Sequence, residues 1–388
     1  MNRNTPLKKN IFIYGYFGWY NAGDDAIGYG VLKELSDMGL PVDITLTGND
    51  RYFERQAKIL FPDLSIRMVP LHPLSLLVEL LRSEKCIIVG GTHLSDEGEL
   101  IYKRTKVFVF FYLLTLTANL GNRSPLFLGH GIGPVTKPWN KFLLKRILRN
   151  AQRIIVRDTD SFETVTAHGS GGRCLVGFDC SVPFVNALNR RPQEPIDCLG
   201  ISVLPAFDIY SKKESLDRKM VSSLGAGIRT ILADFPTMRV NIFSFRGGNT
   251  DSDEGIVSEL ESLLPMHADR VSIIRYRGEI TGFLDKIDEC SVFVGMRYHS
   301  SLFAYLLAKP LVIVEYMGKC RGLARDIGEE DDYIVSLAEI VSDPKGNILV
   351  ERLEKMIQLR KSGYRQSLRE VLMARERKMF TELKDYLT

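Results

Sequence analysis

The sequence predicts an α/β protein of two domains, each a parallel sheet covered by helices, and three observations carry that reading. Short β-branched or aromatic runs alternate with amphipathic stretches along most of the chain, the pattern of strands joined by crossover helices. The strand-like runs are almost continuously apolar, as they must be when helices cover both faces of a sheet. The chain has 388 residues, too many for one ordinary core and suited to two domains of roughly 150–200 residues each.

In the first half the pattern gives strands at Asn10–Gly15, Val42–Thr47, Ser65–Val69, Cys86–Val89, Leu126–Gly129, Arg153–Val156 and Arg173–Val176. Helices fall near Asp25–Met38, Arg51–Leu60, Pro73–Arg82, Leu100–Leu120, Pro138–Asn150 and Asp160–Ala167. The most apolar run is Val107–Ala118; as a helix it covers only ~18 Å of a ~30 Å hydrocarbon core, so it reads as a buried helix and not a membrane span. Asn189–Pro195, with two prolines and three charges, breaks the pattern and reads as the linker. A second series follows, with strands at Cys198–Val203, Arg239–Phe243, Val271–Ile274, Val292–Val294 and Leu311–Val314. Its helices fit near Lys212–Asp234, Ser252–Leu264, Ile280–Glu289, Ser300–Leu307 and Arg321–Ile327. From Asn347 the chain is charged and helical. The expected division is therefore 1–190, 196–346, and a helical segment 347–388 that can cross back onto the first domain.

Composition narrows the function classes. Hydrophobic residues make up 45% and charged residues 25%, which excludes a disordered or fibrous chain. A net charge of +4 leaves no basic footprint for nucleic acid. The six cysteines (Cys86, Cys174, Cys180, Cys198, Cys290, Cys320) show no CxxC pair or metal spacing and read as free thiols. Cys86 and Cys290, beside apolar runs, read as small buried hydrophobes. Met1–Asn10 is short and polar, without the apolar core of a signal peptide, so a reducing, cytoplasmic location is expected. No metal-ligand cluster is evident, and the chemistry is expected to need neither metal nor cofactor.

In open α/β sheets ligands bind beyond the carboxyl ends of the strands. Five such loops carry polar chemistry. After the first strand, Gly15-Tyr-Phe-Gly-Trp-Tyr-Asn-Ala-Gly-Asp-Asp offers Gly18, Asn21 and Asp24; it is either a tight turn with a helix cap or a loop whose backbone meets a ligand. It is not GxGxxG. Gly90-Gly-Thr-His-Leu-Ser-Asp-Glu-Gly places His93, Asp96 and Glu97 together as proton-transfer candidates, or as a capping segment. Gly129-His-Gly-Ile-Gly-Pro brings His130 to the cleft or uses it to bridge loops. Arg157 leaves a buried strand, placed to fork onto a carboxylate or phosphate or to pair with Asp158 or Asp179. Val294-Gly-Met-Arg-Tyr-His-Ser-Ser sets Arg297, His299 and Ser300 at a new helix start, where backbone amides attract anions. Lys319 lies just beyond the next strand.

In this order the motifs resemble those of the polysaccharide pyruvyl transferase family. Tyr14-Gly-Tyr-Phe-Gly-Trp-Tyr-Asn-Ala-Gly-Asp-Asp-Ala-Ile resembles "GYYGxxNxGDEAI", Gly90-Gly its glycine-rich loop, and Gly129-His-Gly-Ile-Gly-Pro "GQGIGP". Ile155-Val-Arg-Asp-Thr-Asp-Ser resembles "SVRDxxS", Met296-Arg-Tyr-His-Ser "MRLHAL", and Val314-Glu-Tyr-Met-Gly-Lys "SYDPK". The set spans roughly residues 11–328.

The resemblance implies two Rossmann-like domains in a GT-B-type arrangement with an interdomain cleft. It also implies transfer of the carboxyethylidene part of phosphoenolpyruvate onto two hydroxyls of a sugar, with loss of phosphate. The implied acceptor is a hexose of a surface polysaccharide precursor, typically lipid-linked. Arg157, Arg297, Lys319 and Ser300 are then expected at the donor. His299 is the expected acid, with Arg297 beside it, and Asp96 or Glu97 (less so Asp24) the base. Gly18, Asn21, Asp24, His93 and His130 are expected on the acceptor side.

The sequence departs from the family pattern at Thr92–Ser95 in a loop one residue short, which leaves Asp96 and Glu97 interchangeable. It departs again at His130 for Gln, and at Met317 and Gly318 for Asp and Pro. Two other readings share the architecture: a nucleotide-sugar glycosyltransferase, for which Glu315 would hold a ribose, and a non-catalytic sugar-binding homologue. Lastly, Lys141, Lys145 and Arg149 share one face of a helix with Trp139 near its start, either a solvated face or a peripheral contact with the inner face of a membrane.

Overall fold

The computed structural model describes residues 8–97, 101–188, 197–248, 251–328, 333–362, 366 and 368–388. The linker expected at Asn189–Pro195 lies outside the described residues. The chain forms two α/β units. One comprises Met1–Trp19, Asp24–Ala187 and Glu370–Thr388, the other Tyr20–Gly23 and Leu188–Arg369.

The first unit holds β1 (Lys9–Phe17), β2 (Val42–Gly48), β3 (Ser65–Pro70), β4 (Lys85–Val89), β5 (Leu126–His130), β6 (Arg153–Val156) and β7 (Cys174–Val176). They make one parallel sheet in the order β3-β2-β1-β4-β5-β6-β7. Reversal of the order at β1 and β4 opens the crevice where ligands bind in such sheets. The central strands are buried on both faces: Phe12, Ile13, Ile87, Ile88, Phe127 and Leu128 are inaccessible, which explains their uninterrupted apolar sequence.

The second unit repeats the plan with β8 (Cys198–Ser202), β9 (Arg239–Ser244), β10 (Val271–Arg275), β11 (Val292–Gly295), β12 (Leu311–Glu315) and β13 (Ile334–Ser336). Their order is β10-β9-β8-β11-β12-β13, again all parallel, with its reversal at β8 and β11. Its core joins Leu199, Ile201, Val240, Val292 and Val312 to Leu224, Ile228 and Ile231 of the helix Glu214–Asp234.

Three expectations need correction. The tail does not act as one segment: helix Asn347–Ser362 buries Leu349, Leu353 and Met356 in the second unit's core, and only helix Arg369–Leu387 joins the first unit. There Tyr386 Oη donates to the Cys86 and Ser124 carbonyls, and Arg153 forks onto Glu382 at 2.8 Å through both nitrogens. The run Val107–Ala118 is not wholly buried: Phe108, Phe111 and Leu114 are, but Val109 and Leu113 face solvent. The helix expected from Lys212 is preceded by a separate turn of helix, Ala206–Ser211, closed by Lys212 in the left-handed region (φ 57°).

One buried carboxyl gives the first unit a pH signature. Burial first, and then the like charge of Glu34, push Glu376 up from 4.5 to about 7. An unfolded chain ionises this group near 4.5 while the folded one keeps its proton, so stability is lost as pH rises from about 4.5 to about 7. A shift of that size is about 3 kcal/mol for a fully enclosed group, and solvent screening reduces it to on the order of 1 kcal/mol. Glu376→Gln is therefore expected to melt above the wild type at pH ~8, by about 2–4 °C, with the gap closing toward pH ~5. Thermal melts in which the two proteins keep a constant separation across that range would refute the assignment.

Candidate active site

In the second unit β11 ends at Gly295 and the chain turns into helix Tyr298–Leu306 with Arg297 at its N-cap. Arg297 makes no capping hydrogen bond. Its guanidinium forks onto Asp253 instead, with Nε at 2.8 and 3.0 Å from the two carboxylate oxygens. Nη2 donates to Asp253 Oδ1 and to the Asp251 carbonyl oxygen, the latter at 3.2 Å. Asp253 is wholly buried and also accepts the backbone N–H groups of Phe245 and Arg246, both at 3.0 Å. Burial works against the charge on Arg297, but the Asp253 carboxylate outweighs it and holds the guanidinium above its ordinary range. Burial pushes Asp253 up, against the pull of Arg297 and the two amides. Because a guanidinium keeps its proton, the pair is ionic.

Arg297 thus presents a fixed edge. Nε and Nη2 are committed, whereas Nη1 makes no hydrogen bond among the described residues and the side chain stays 14% exposed. Tyr316 and Tyr210 stand in its electrostatic surroundings, their rings 5.7 Å apart. Lys319, in the first turn of helix Gly318–Ile327, carries its Nζ 5.1 Å from the Tyr316 ring centre. The structure therefore gathers Arg297 and Lys319 around one tyrosine.

His299 lies on the same helix start, its ring 5.2 Å from Tyr298 and 5.8 Å from Phe303. Its other neighbour comes from the first glycine-rich motif, whose residues Tyr20–Gly23 belong to this unit. Asn21 bridges Arg246 in antiparallel fashion, Ala22 N–H donates to Phe245 O at 2.9 Å, and Gly247 N–H to Tyr20 O at 3.0 Å. Asn21 Oδ1 accepts Gly23 N–H at 3.2 Å. A Cβ on Gly23 would stand 2.0 Å from His299 Nδ1, so only glycine lets the imidazole occupy that place.

Asp253 is the residue sequence reading missed. Its one signal is its position just before helix Glu254–Ser262, and it lies among other acids.

Ser300 does not fit the donor role expected of it. It is inaccessible, its hydroxyl donates to Arg297 O at 2.7 Å and receives Ser202 Oγ at 2.5 Å. Ser202 in turn accepts Met296 N–H at 3.0 Å. The two serines lock β8 to the turn that displays Arg297.

In the first unit the ends of β1 and β5 and the loops after β4 and β6 bring a second group together. Arg157, 2% exposed, bonds Asp158 Oδ2 at 3.1 Å and Thr92 Oγ1 at 2.8 Å. The His93 ring packs 4.8 Å from Tyr16, 5.8 Å from Phe111 and 5.6 Å from His130.

His130 closes strand β5 and is wholly buried, with Phe127 and Phe111 against it. Burial first, then the charges of His93 and Arg157, hold it well below its ordinary range, so it is a neutral packing residue and not an exposed acceptor contact.

Asp96 is corrected as well. Its carboxylate accepts Thr136 N–H at 2.7 Å, Thr136 Oγ1 at 3.0 Å, Lys137 N–H at 3.0 Å and Asn140 Nδ2 at 3.1 Å. It serves as the cap for helix Pro138–Asn150, whose own N-cap residue Lys137 makes no side-chain cap bond. Burial raises its pKa, but these four donors prevail and leave it below the ordinary range, the wrong direction for a base near neutrality. Glu97, partly exposed, bonds Ser95 Oγ through its N–H at 3.3 Å.

Gly18 (φ 73°) sits where a Cβ would strike Asp50 O, and its N–H donates to buried Asp25 Oδ1 at 2.8 Å. It shapes the turn. Asp24 is half-buried in the first turn of helix Ala22–Met38.

Two Rossmann-like units with polar loops beyond their strand ends define a GT-B-type α/β fold, and solved structures agree on it. The chain is similar to a putative UDP-N-acetylglucosamine 2-epimerase from Listeria monocytogenes, at 11% identity and a TM-score of 0.59, with 92% of this chain and 90% of that chain covered. It is also similar to the UDP-GlcNAc 2-epimerase of Neisseria meningitidis bound to UDP-GlcNAc (11% identity, TM-score 0.52, 89% and 100% covered). The apo structure of OtsA aligns at 10% identity and a TM-score of 0.55, with 98% and 99% covered.

At these identities the likeness is one of fold. No curated protein sequence is significantly similar. The family profile Polysaccharide pyruvyl transferase matches residues 21–317, well over half of the chain, and the chain belongs to that family. By family it is a pyruvyl transferase enzyme of polysaccharide biosynthesis, with a sugar or polysaccharide as acceptor.

Proposed function

We propose that the enzyme takes its pyruvyl group from phosphoenolpyruvate and places it as a ketal on two hydroxyls of one sugar in a surface polysaccharide precursor, releasing phosphate. The observation that carries this reading is the guanidinium of Arg297, held rigid by Asp253 with one edge uncommitted, on the same helix start as His299, with Lys319 over the ring of its electrostatic neighbour Tyr316. A compact polyanion is the ligand such a cluster suits, because fixed cations and helix-start amides offset its carboxylate and phosphate without reorganising.

The bond changes balance. One sugar hydroxyl adds through oxygen to C2 while C3 takes a proton and becomes a methyl; His299 supplies that proton. The second hydroxyl then forms its bond to C2 as the C2–O bond to phosphate breaks, and each hydroxyl gives up its proton. Glu97 is the base in this scheme, since Asp96 is saturated by four donors. Arg157, buried and tied to Asp158 and Thr92, is given no substrate contact in this scheme.

The nucleotide-sugar reading loses support at Glu315, whose carboxylate is forked by Arg321 at 3.0 and 2.6 Å and so is not left open for a ribose. Phosphoenolpyruvate is expected to raise the melting temperature, by about 3 kcal/mol of linkage at a hundredfold excess over Kd, whereas UDP-sugars leave it unchanged. Incubation with candidate lipid-linked glycans should release phosphate and yield a pyruvate-ketal adduct by mass spectrometry. Stabilisation by UDP-sugars and not by phosphoenolpyruvate would overturn the reading.

A further inference from the structure

Three helices of the first unit carry a surface that the chemistry above does not use. In helix Pro73–Arg82 the large hydrophobics Leu74, Leu77, Val78 and Leu81 are exposed, an i, i+3, i+4, i+7 stripe of the kind that normally faces a core. Its one acid, Glu79, is buried and paired with Arg67. The neighbouring helix Ile101–Leu120 exposes Val109, Leu113 and Leu120 along its length. The two helices enclose an apolar groove of about 170 Å³ lined by Pro73, Leu77, Phe110 and Leu113, among others.

Packed along Ile101–Leu120 is helix Pro138–Asn150, which has no acidic residue. Its outer face carries Lys141, Lys145, Arg146 and Arg149, with Trp139 and Phe142 exposed and stacked 5.4 Å apart. On all three helices, among the described residues, no exposed acid interrupts this surface.

We propose that this face docks on the surface of an anionic lipid bilayer. A contiguous exposed apolar patch marks an interaction site, and its chemistry says with what. Shallow leucine and valine ridges enter the acyl boundary, exposed tryptophan sits at headgroup depth, and a rim of lysine and arginine without counter-charges meets anionic headgroups. A protein partner would match the apolar stripe but leave the one-signed rim unexplained. Among the described residues no helix is long and apolar enough to cross a membrane, and the contact proposed is a peripheral one. The inference does not depend on which donor the enzyme uses.

The test is co-sedimentation of the full chain with vesicles of phosphatidylcholine alone and of phosphatidylcholine with phosphatidylglycerol. Binding is expected only to the anionic vesicles, and to weaken when salt shortens the Debye length from about 10 Å to about 3 Å. A Leu77→Asp/Leu113→Asp double variant and a Lys141→Glu/Lys145→Glu double variant should each lower the partition coefficient at least tenfold, with circular dichroism and melting temperature unchanged. Failure of the wild type to bind anionic vesicles overturns the proposal, as does wild-type binding by both variants. A dimer in sedimentation equilibrium that Leu77→Asp/Leu113→Asp dissolves, with no vesicle binding, would assign the face to a second copy of the chain.

Discussion

Arg297→Ala and His299→Ala are expected to lose activity by different routes. Removing Arg297 deletes a preorganised cation at the donor, so kcat/KM for phosphoenolpyruvate should fall by about 10²–10³, with a raised KM. Removing His299 deletes the proton donor to C3, so kcat should fall by about 10²–10⁴ with KM little changed. Arg297→Lys keeps a positive charge opposite Asp253 yet cannot reproduce the fork; it should fold like the wild type and still lose most of the donor affinity. Gly23→Ala forces the imidazole from its place and should mimic part of the His299 defect. Steady-state phosphate release with both substrates varied separates these cases. Folded Arg297→Ala and His299→Ala variants that turn over near the wild-type rate would remove both residues from the chemistry.

Most of the architecture was legible because strands buried on both faces write a simple apolar signature: twelve of the strands lie where the alternation put them. The exception, β13, is a three-residue edge strand with only Ile334 and Val335 apolar, whereas the equally short β7 is apolar throughout. The tail divided because membership of a core depends on which apolar stripe finds which neighbour. Helices Asn347–Ser362 and Arg369–Leu387 are both amphipathic, and sequence does not say that the first belongs with Ile228 and the second with Cys86.

At the site, residue types were readable but partners were not. Asp96 and Glu97 are adjacent carboxylates; which one is saturated was decided by Thr136, Lys137 and Asn140, some forty residues away. His130 sits between glycines that suggest an open loop, yet as the last residue of a central strand it is enclosed. Ser300 looked like a ligand contact and is a buried tie.

Asp253 carries the other large expected effect. With no exposed surface it satisfies Arg297 and two backbone amides at once, so Asp253→Ala strands a guanidinium and two buried donors. Breaking a buried pair from one side costs about 3–5 kcal/mol, which for a unit of this size lowers the melting temperature by roughly 6–20 °C.

The complementary variant behaves differently with pH. In Arg297→Ala the orphan is a buried carboxyl, which can take up a proton, whereas Arg297 in the converse variant cannot give one up. Its folded pKa then lies above the unfolded one, so Arg297→Ala should be close to wild-type stability at low pH and lose ground as pH rises. Removing both partners should cost less than the sum of the single changes, because neither orphan remains. Melts of the two single variants and the double variant across pH measure this directly. Strict additivity, or a pH-independent Arg297→Ala deficit, would mean that the ion pair is incidental and that the edge of Arg297 is held in place by something else.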